Sequence, residues 1–193
     1  VLVKGGAHLE NLGRLKAIAF DKTGTVTYGK AAVTDILPFG MDVEEVLSLA
    51  AGAESRSAHP LARAIVRKAQ ADGVELKPMD EVEALTGHGL RARFEGKTLW
   101  LGNAALMESV GAAILPDITR QVETLQNSGK TVILVAVEQQ IIGVIALADT
   151  VRPEAARTLQ ALDKIGVPHT ILLTGDHASA AEAIAKEVGI TDF

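Results

Sequence analysis

The chain has no cysteine, which excludes disulfides, thiolate zinc sites and cysteine nucleophiles. It has no surplus of positive charge either. Nineteen Lys and Arg stand against 24 Asp and Glu, a formal net charge of −5, and no clustered basic surface of the kind a phosphate backbone requires is visible. Nucleic acid is therefore not an expected partner. No apolar run approaches the ~18 to 20 residues of a membrane-spanning helix. The longest runs, "TVILVAV" and "IIGVIALA", have the length and β-branched character of buried strands. Prolines number only six, and 48% of the 193 residues are apolar and 22% charged, the profile of a folded soluble protein. The opening "VLVKGG" has no signal-peptide layout. With no initiator methionine and a stop at "GITDF", the sequence reads as a piece of a longer protein.

Hydrophobic periodicity divides what is present. "LKAIAF" (15–20) reads as a buried strand and "VTYGKAAVTDILPF" as an extended stretch after it. Asp42 is placed to cap a helix over "VEEVLSLAAGAE", and "HPLARAIVRKAQADG" is a second helix with Pro60 in its first turn and Gly73 past its end. From Glu81 to Leu101 short alternating segments predict a meander. "NAALMESVG" and "PDITRQVETLQNSG" are expected helices, and "TVILVAV" and "IIGVIALA" strands. "RPEAARTLQALDKIG", "PHTILLTGD" and "HASAAEAIAKEVG" then complete a strand–helix–strand–helix series, which predicts a parallel sheet with right-handed crossovers. The expected division is 1–34 and 148–193 as one α/β domain, interrupted by an α+β unit over 35–147.

Asp21 ends the first strand, in "AFDKTGTVT" (19–27). An acid at the C-terminal end of a parallel strand lies where α/β folds bind ligands, and a carboxylate there can act as a nucleophile and form an aspartyl-phosphate. Gly24 would allow a tight turn, and Lys22 with the loop amides would hold a phosphate. Asp, Lys, Thr and Gly are also ordinary turn residues. The five letters "DKTGT" have a chance expectation on the order of 10⁻⁴ in a chain of this length at average composition.

"DKTGT" resembles the phosphorylation motif of P-type ATPases, members of the haloacid-dehalogenase-like superfamily that transfer the ATP γ-phosphate to this aspartate. Further segments resemble the heavy-metal-transporting branch in the expected order: "SAHPLA" (57–62), "GHG" (87–89), "ADTVRP" (148–153) and "TGD" (174–176), with "GGAHLE" upstream. The resemblance covers nearly the whole chain. It implies a partial haloacid-dehalogenase-like parallel sheet, interrupted by a nucleotide-binding domain with an antiparallel sheet.

What the resemblance implies about sites follows residue by residue. Asp21 is the phosphoryl acceptor, with Lys22, Thr23, Thr174 and Asp176 as its catalytic neighbours. Mg²⁺ is held by the Asp21 carboxylate and the Thr23 carbonyl. ATP is bound by Glu54 and His59 at the adenine, by the Gly87/Gly89 loop with Gly102 and Asn103, and by Asp149. Asn103 has a second reading as the N-cap of the helix after it, and Lys130 is either a phosphate ligand or an exposed lysine at a helix exit. Two positions depart from the family: Ala58 stands where a glutamate is usual, and His177 where an asparagine follows "TGD". The family's later magnesium-binding aspartates, its membrane helices and its actuator domain do not occur in these 193 residues.

The implied function is the ATP-binding and phosphorylation region, at the cytoplasmic face, of a membrane heavy-metal cation pump. Zinc, cadmium, lead or cobalt is favoured over copper. Two alternatives stay open. A soluble phosphatase of the same superfamily normally needs a second aspartate two residues after the nucleophile, where this chain has Thr23. A nucleotide-binding regulatory module would have no chemistry of its own.

Overall fold

The computed structural model describes residues 5–175 and 178–193. The chain forms two compact units, Val1–Gly29 with Asp149–Phe193, and Lys30–Ala148.

In the first unit, helix α1 (Gly6–Leu12) precedes strand β1 (Ala17–Asp21). The strand pairs in parallel with β8 (His169–Leu173), in a register that sets Asp21 opposite Leu173. Helix α6 (Pro153–Lys164) begins with a proline at the position where a missing N–H costs nothing, and carries Lys164 in its last turn, at the negative end of its dipole. Helix α7 (Ala178–Val188) follows β8. Val26, Leu159, Leu172, Ala185, Val188 and Ile190 form the buried core, with Phe20 and Val151 packed against it.

The second unit is a six-stranded sheet in the order β2-β7-β6-β5-β4-β3. Its strands are β2 (Thr27–Pro38), β3 (Glu81–Leu85), β4 (Gly89–Phe94), β5 (Lys97–Gly102), β6 (Thr131–Val137) and β7 (Gln140–Val151). Pairing from β3 through β7 is antiparallel throughout. Strand alternation sends Leu90, Ala92, Phe94, Leu99 and Leu101 to one core with α2 (Val43–Glu54) and α3 (Pro60–Asp72). Trp100, Leu134 and Ala136 face a second core with α4 (Ala104–Ser109) and α5 (Pro116–Asn127). Local chemistry sets the helix ends. Asp42 Oδ1 accepts the Glu45 amide at 2.7 Å, and Gly73 ends α3 in the left-handed conformation, at φ +73.

Most elements lie where hydrophobic periodicity predicts them, with two differences. The strand "IIGVIALA" lies in β7 and pairs antiparallel with β6, so only the last strand and its helices belong with β1. The cause is visible in burial. Residues 141–147 are all buried, because helices cover both faces of the sheet, and a strand buried on both faces reads like a parallel one. Helix α1 has no counterpart in the sequence reading. No helix among the described residues is long and apolar enough to cross a membrane.

Candidate functional site

Asp21 is exposed at the end of β1. The parallel register brings Leu173 opposite it, so Thr174 leaves β8 at the same level. Two adjacent parallel strand ends make the crevice in which α/β folds hold ligands. From Asp21 the chain makes a wide helical turn over Lys22–Val26, broken by extended Thr23 (φ −80, ψ 118) and by Gly24 at φ +79. Glycine alone takes the second conformation without strain, and the space beside Gly24 is open. Thr23, Gly24 and Thr25 are exposed, whereas Lys22 is only 8% exposed. The Lys22 side chain therefore lies inside the unit and is not displayed on the loop.

Two residues that sequence reasoning missed anchor this loop. Thr27 is fully buried. Its Oγ1 lies 2.8 Å from the Lys22 carbonyl oxygen and 2.5 Å from Asp149 Oδ2. The single hydroxyl proton faces two acceptors, and the contact to the charged carboxylate is the stronger. Asp149 thus supports the loop from β7. Arg152 donates from Nε to the Thr27 carbonyl and from Nη2 to the Gly24 carbonyl, each at 3.1 Å. Its guanidinium also stacks on Tyr28, 4.8 Å from the ring centroid. The only sequence signal for Arg152 was its place in "ADTVRP".

In the second unit, Glu54, Ser57 and His59 gather between α2 and α3. The His59 side chain caps α3, with Nδ1 accepting the Leu61 amide at 3.3 Å. With Nδ1 as the acceptor, Nε2 is the ring nitrogen left to donate from this exposed residue. Ser57 Oγ accepts the His59 amide and its hydroxyl bonds to Glu54. Burial pushes the Glu54 carboxyl above its ordinary value; the Ser57 bond and the nearby His59 oppose this and do not cancel it.

Gly87, Gly89, Gly102 and Asn103 form another group. Gly89 pairs with Gly102 across β4 and β5. At φ +146, a Cβ on Gly89 would stand 1.9 Å from the Leu101 carbonyl oxygen and 2.6 Å from Gly102 Cα, so close strand approach explains the glycine. Gly102 is confined in the same way, by the His88 carbonyl. Gly87 turns through φ +77 into open space. Asn103 caps α4 by accepting the Leu106 amide at 3.0 Å, and its Nδ2 donates to the Gly87 carbonyl, tying the glycine loop to the helix.

Other candidates lie elsewhere. Asp176 and His177 fall outside the described residues. Lys130 is half-buried and makes a 2.6 Å ion pair with Asp35. Burial acts to raise the Asp35 pKa, but the bonds from Lys130 and Thr34 outweigh it and hold it below the ordinary value. A cavity of about 650 Å³ between α4 and α5 is lined by Glu108, Ile114, Val122, Glu123 and Leu134, and none of the predicted residues reaches it. Among the described residues no three acidic or imidazole groups converge. Magnesium keeps several waters and takes one or two carboxylates besides phosphate oxygens, so Asp21 with a loop carbonyl is a sparse donor set that fits this ion.

The model of the haloacid dehalogenase-like hydrolases matches residues 15–193. The chain is 42% identical over its whole length to a zinc-exporting P-type ATPase of Mycobacterium marinum, and 41% identical to a probable cadmium-transporting ATPase of Staphylococcus aureus. It is also 40% identical to a manganese-exporting P-type ATPase of Mycobacterium tuberculosis. It spans 27% of the length of each of these relatives. The crystal structure of a zinc-transporting PIB-type ATPase in its E2.Pi state superposes with a TM-score of 0.88 at 40% identity, covering all of this chain and 31% of that one. The catalytic domain of a CPx-ATPase gives 0.66 at 26% identity, over 99% of this chain and 66% of that one.

Proposed function

Because the chain belongs to the haloacid dehalogenase-like hydrolases and, within them, to the heavy-metal P-type ATPases, we propose that Asp21 accepts the γ-phosphoryl group of ATP bound by the second unit. The chain then serves as the cytosolic part of a longer membrane pump that exports a divalent heavy-metal cation. Zinc, cadmium and manganese are the first candidates, since relatives named for each align over the whole chain. The observation that carries the reading is the exposed Asp21 at a parallel strand end, opposite Leu173 (which Thr174 follows) and followed by the Gly24 turn.

Each group has a part. The His59 Nε2–H donor and the Glu54 carboxyl match the acceptor and amino donor on an adenine edge. Gly87 leaves room for the nucleotide, and Gly89, Gly102 and Asn103 hold the backbone that approaches it. Thr174 and the loop amides after Asp21 bind phosphoryl oxygens, and Asp149 keeps the loop in place through Thr27. Asp21 and the Thr23 carbonyl would hold Mg²⁺, which supplies charge neutralisation at the phosphates. Asp176 is assigned to the same phosphate site by its motif alone. Transfer of this kind depends on positioning and electrostatics more than on covalent help from the protein. The actuator domain of the longer protein would release the phosphate.

Calorimetric titration of this chain with ATP, repeated on His59→Ala, tests the nucleotide half. Saturable binding that the substitution weakens about tenfold or more, near 1.4 kcal/mol, is the expected result. Binding indifferent to His59 would refute the assignment of the adenine pocket.

A further inference from the structure

The loop that carries Asp21 is irregular. Its Gly24 and extended Thr23 interrupt the helical turn, and three of its exposed residues make no packed core. Besides the Thr27 hydroxyl and Asp149, Arg152 fixes it. One nitrogen of the fork takes the Gly24 carbonyl, another the Thr27 carbonyl, and the Arg152 amide donates to the Val26 carbonyl at 2.9 Å. The face of the same guanidinium covers Tyr28. From the other side Gly29 closes on Gly24, where a Cβ would stand 3.2 Å from the Gly24 backbone. Arginine's planar fork suits two carbonyls and an aromatic face at once, which a lysine's point charge cannot reproduce.

We propose that Arg152 is a positioning residue for phosphoryl transfer. By holding the Gly24 and Thr27 carbonyls, it fixes the direction of the amides after Asp21 and so the place of the incoming phosphoryl group. It touches no substrate. The inference rests on Asp21 as acceptor and assigns part of the rigidity of that site to a side chain outside "DKTGT". Misplacement of a reacting group by about 1 Å can cost on the order of 10²-fold in rate. Loss of the fork should therefore slow transfer by roughly 10- to 100-fold while ATP affinity, set in the second unit, stays unchanged.

The test is single-turnover labelling of the full-length protein from γ-labelled ATP at saturating nucleotide, on wild type, Arg152→Lys and Arg152→Ala. Hydrogen exchange of β1 and β8 in this chain serves as a check on folding. Expected are slow labelling in both variants with wild-type ATP affinity, and partial recovery of Arg152→Ala in sub-denaturing guanidinium. A structural anchor alone would lower the fraction of labelled protein but not the rate of the folded fraction, and guanidinium would not restore that rate. Arg152→Lys labelling at the wild-type rate would overturn the inference while leaving Asp21 as acceptor. Wild type that binds ATP but takes no label would overturn the acceptor reading, and this inference with it.

Discussion

Thr27 offers the sharpest test of how the loop after Asp21 is held. Thr27→Val removes the hydroxyl at nearly constant volume from a fully buried position. The Lys22 carbonyl loses its 2.8 Å contact and Asp149 Oδ2 its 2.5 Å contact. A hydrogen bond to a charged group contributes about 1.5–3 kcal/mol, and a stranded buried acceptor costs about 1–3 kcal/mol. Asp149 keeps another interaction, so the two terms do not add in full, and a loss of about 2–3 kcal/mol is expected. Thr27→Ser keeps the hydroxyl and loses one methyl group, which costs about 1 kcal/mol. Hydrogen exchange separates the units. In Thr27→Val the amides of β1 and β8 should exchange roughly 30- to 150-fold faster, the equivalent of that energy at tenfold per 1.4 kcal/mol. Trp100, the chain's single tryptophan, lies in β5 of the other unit, and its fluorescence midpoint in urea should not move. If Thr27→Ser destabilises the first unit as much as Thr27→Val, the hydroxyl is not what holds the loop.

The glycines of "GHG" should behave differently from each other. Gly89→Ala drives a Cβ into the Leu101 carbonyl and the Gly102 backbone and should cost about 3 kcal/mol or more in urea unfolding followed by Trp100; Gly87→Ala, strained only by its φ, should cost about 1–2 kcal/mol. Glu54→Gln tests a pH dependence. Because the folded-state pKa of Glu54 is raised, its contribution to stability is full below its ordinary pKa and is lost as pH rises through the raised value. Glu54→Gln should thus be more stable than wild type above that window, with the difference shrinking as pH falls through it; a pH-independent difference would contradict the burial. Asp35 has the opposite sign. Its pKa is lowered by Lys130 and Thr34 despite burial, so its contribution is present above its ordinary pKa and is lost as pH falls through the lowered one. Lys130→Met should remove that loss and cost about 1 kcal/mol at neutral pH, read from urea midpoints across the acid range.

The elements with local signals were legible in the sequence. Pro60 and Gly73 mark the ends of α3, and apolar runs mark β1, β6 and β8, because capping and strand burial act over a few residues. β7 was legible as a strand but not as antiparallel, since burial on both faces removes the alternation that distinguishes the two. The seven residues of α1 begin at the second of two adjacent glycines and are too few for a period to show. In the candidate site, Asp21, Thr174 and His59 stand on motifs that are contiguous in sequence. Thr27 and Arg152 were missed because their partners lie more than 120 positions away along the chain, at 122 for Thr27 to Asp149 and 128 for Arg152 to Gly24. Gly89 and Gly102 were assigned to the nucleotide site; the cross-strand register that makes them neighbours also gives each a packing reason that no local pattern reveals.

The central claim is that Asp21 becomes phosphorylated. Incubating the full-length protein with γ-labelled ATP and Mg²⁺, quenching in acid and mapping the label by mass spectrometry tests it directly. The account predicts an acid-stable, hydroxylamine-labile phosphate on Asp21, absent from Asp21→Asn. Label that persists in Asp21→Asn, or that maps to any other residue, would contradict it.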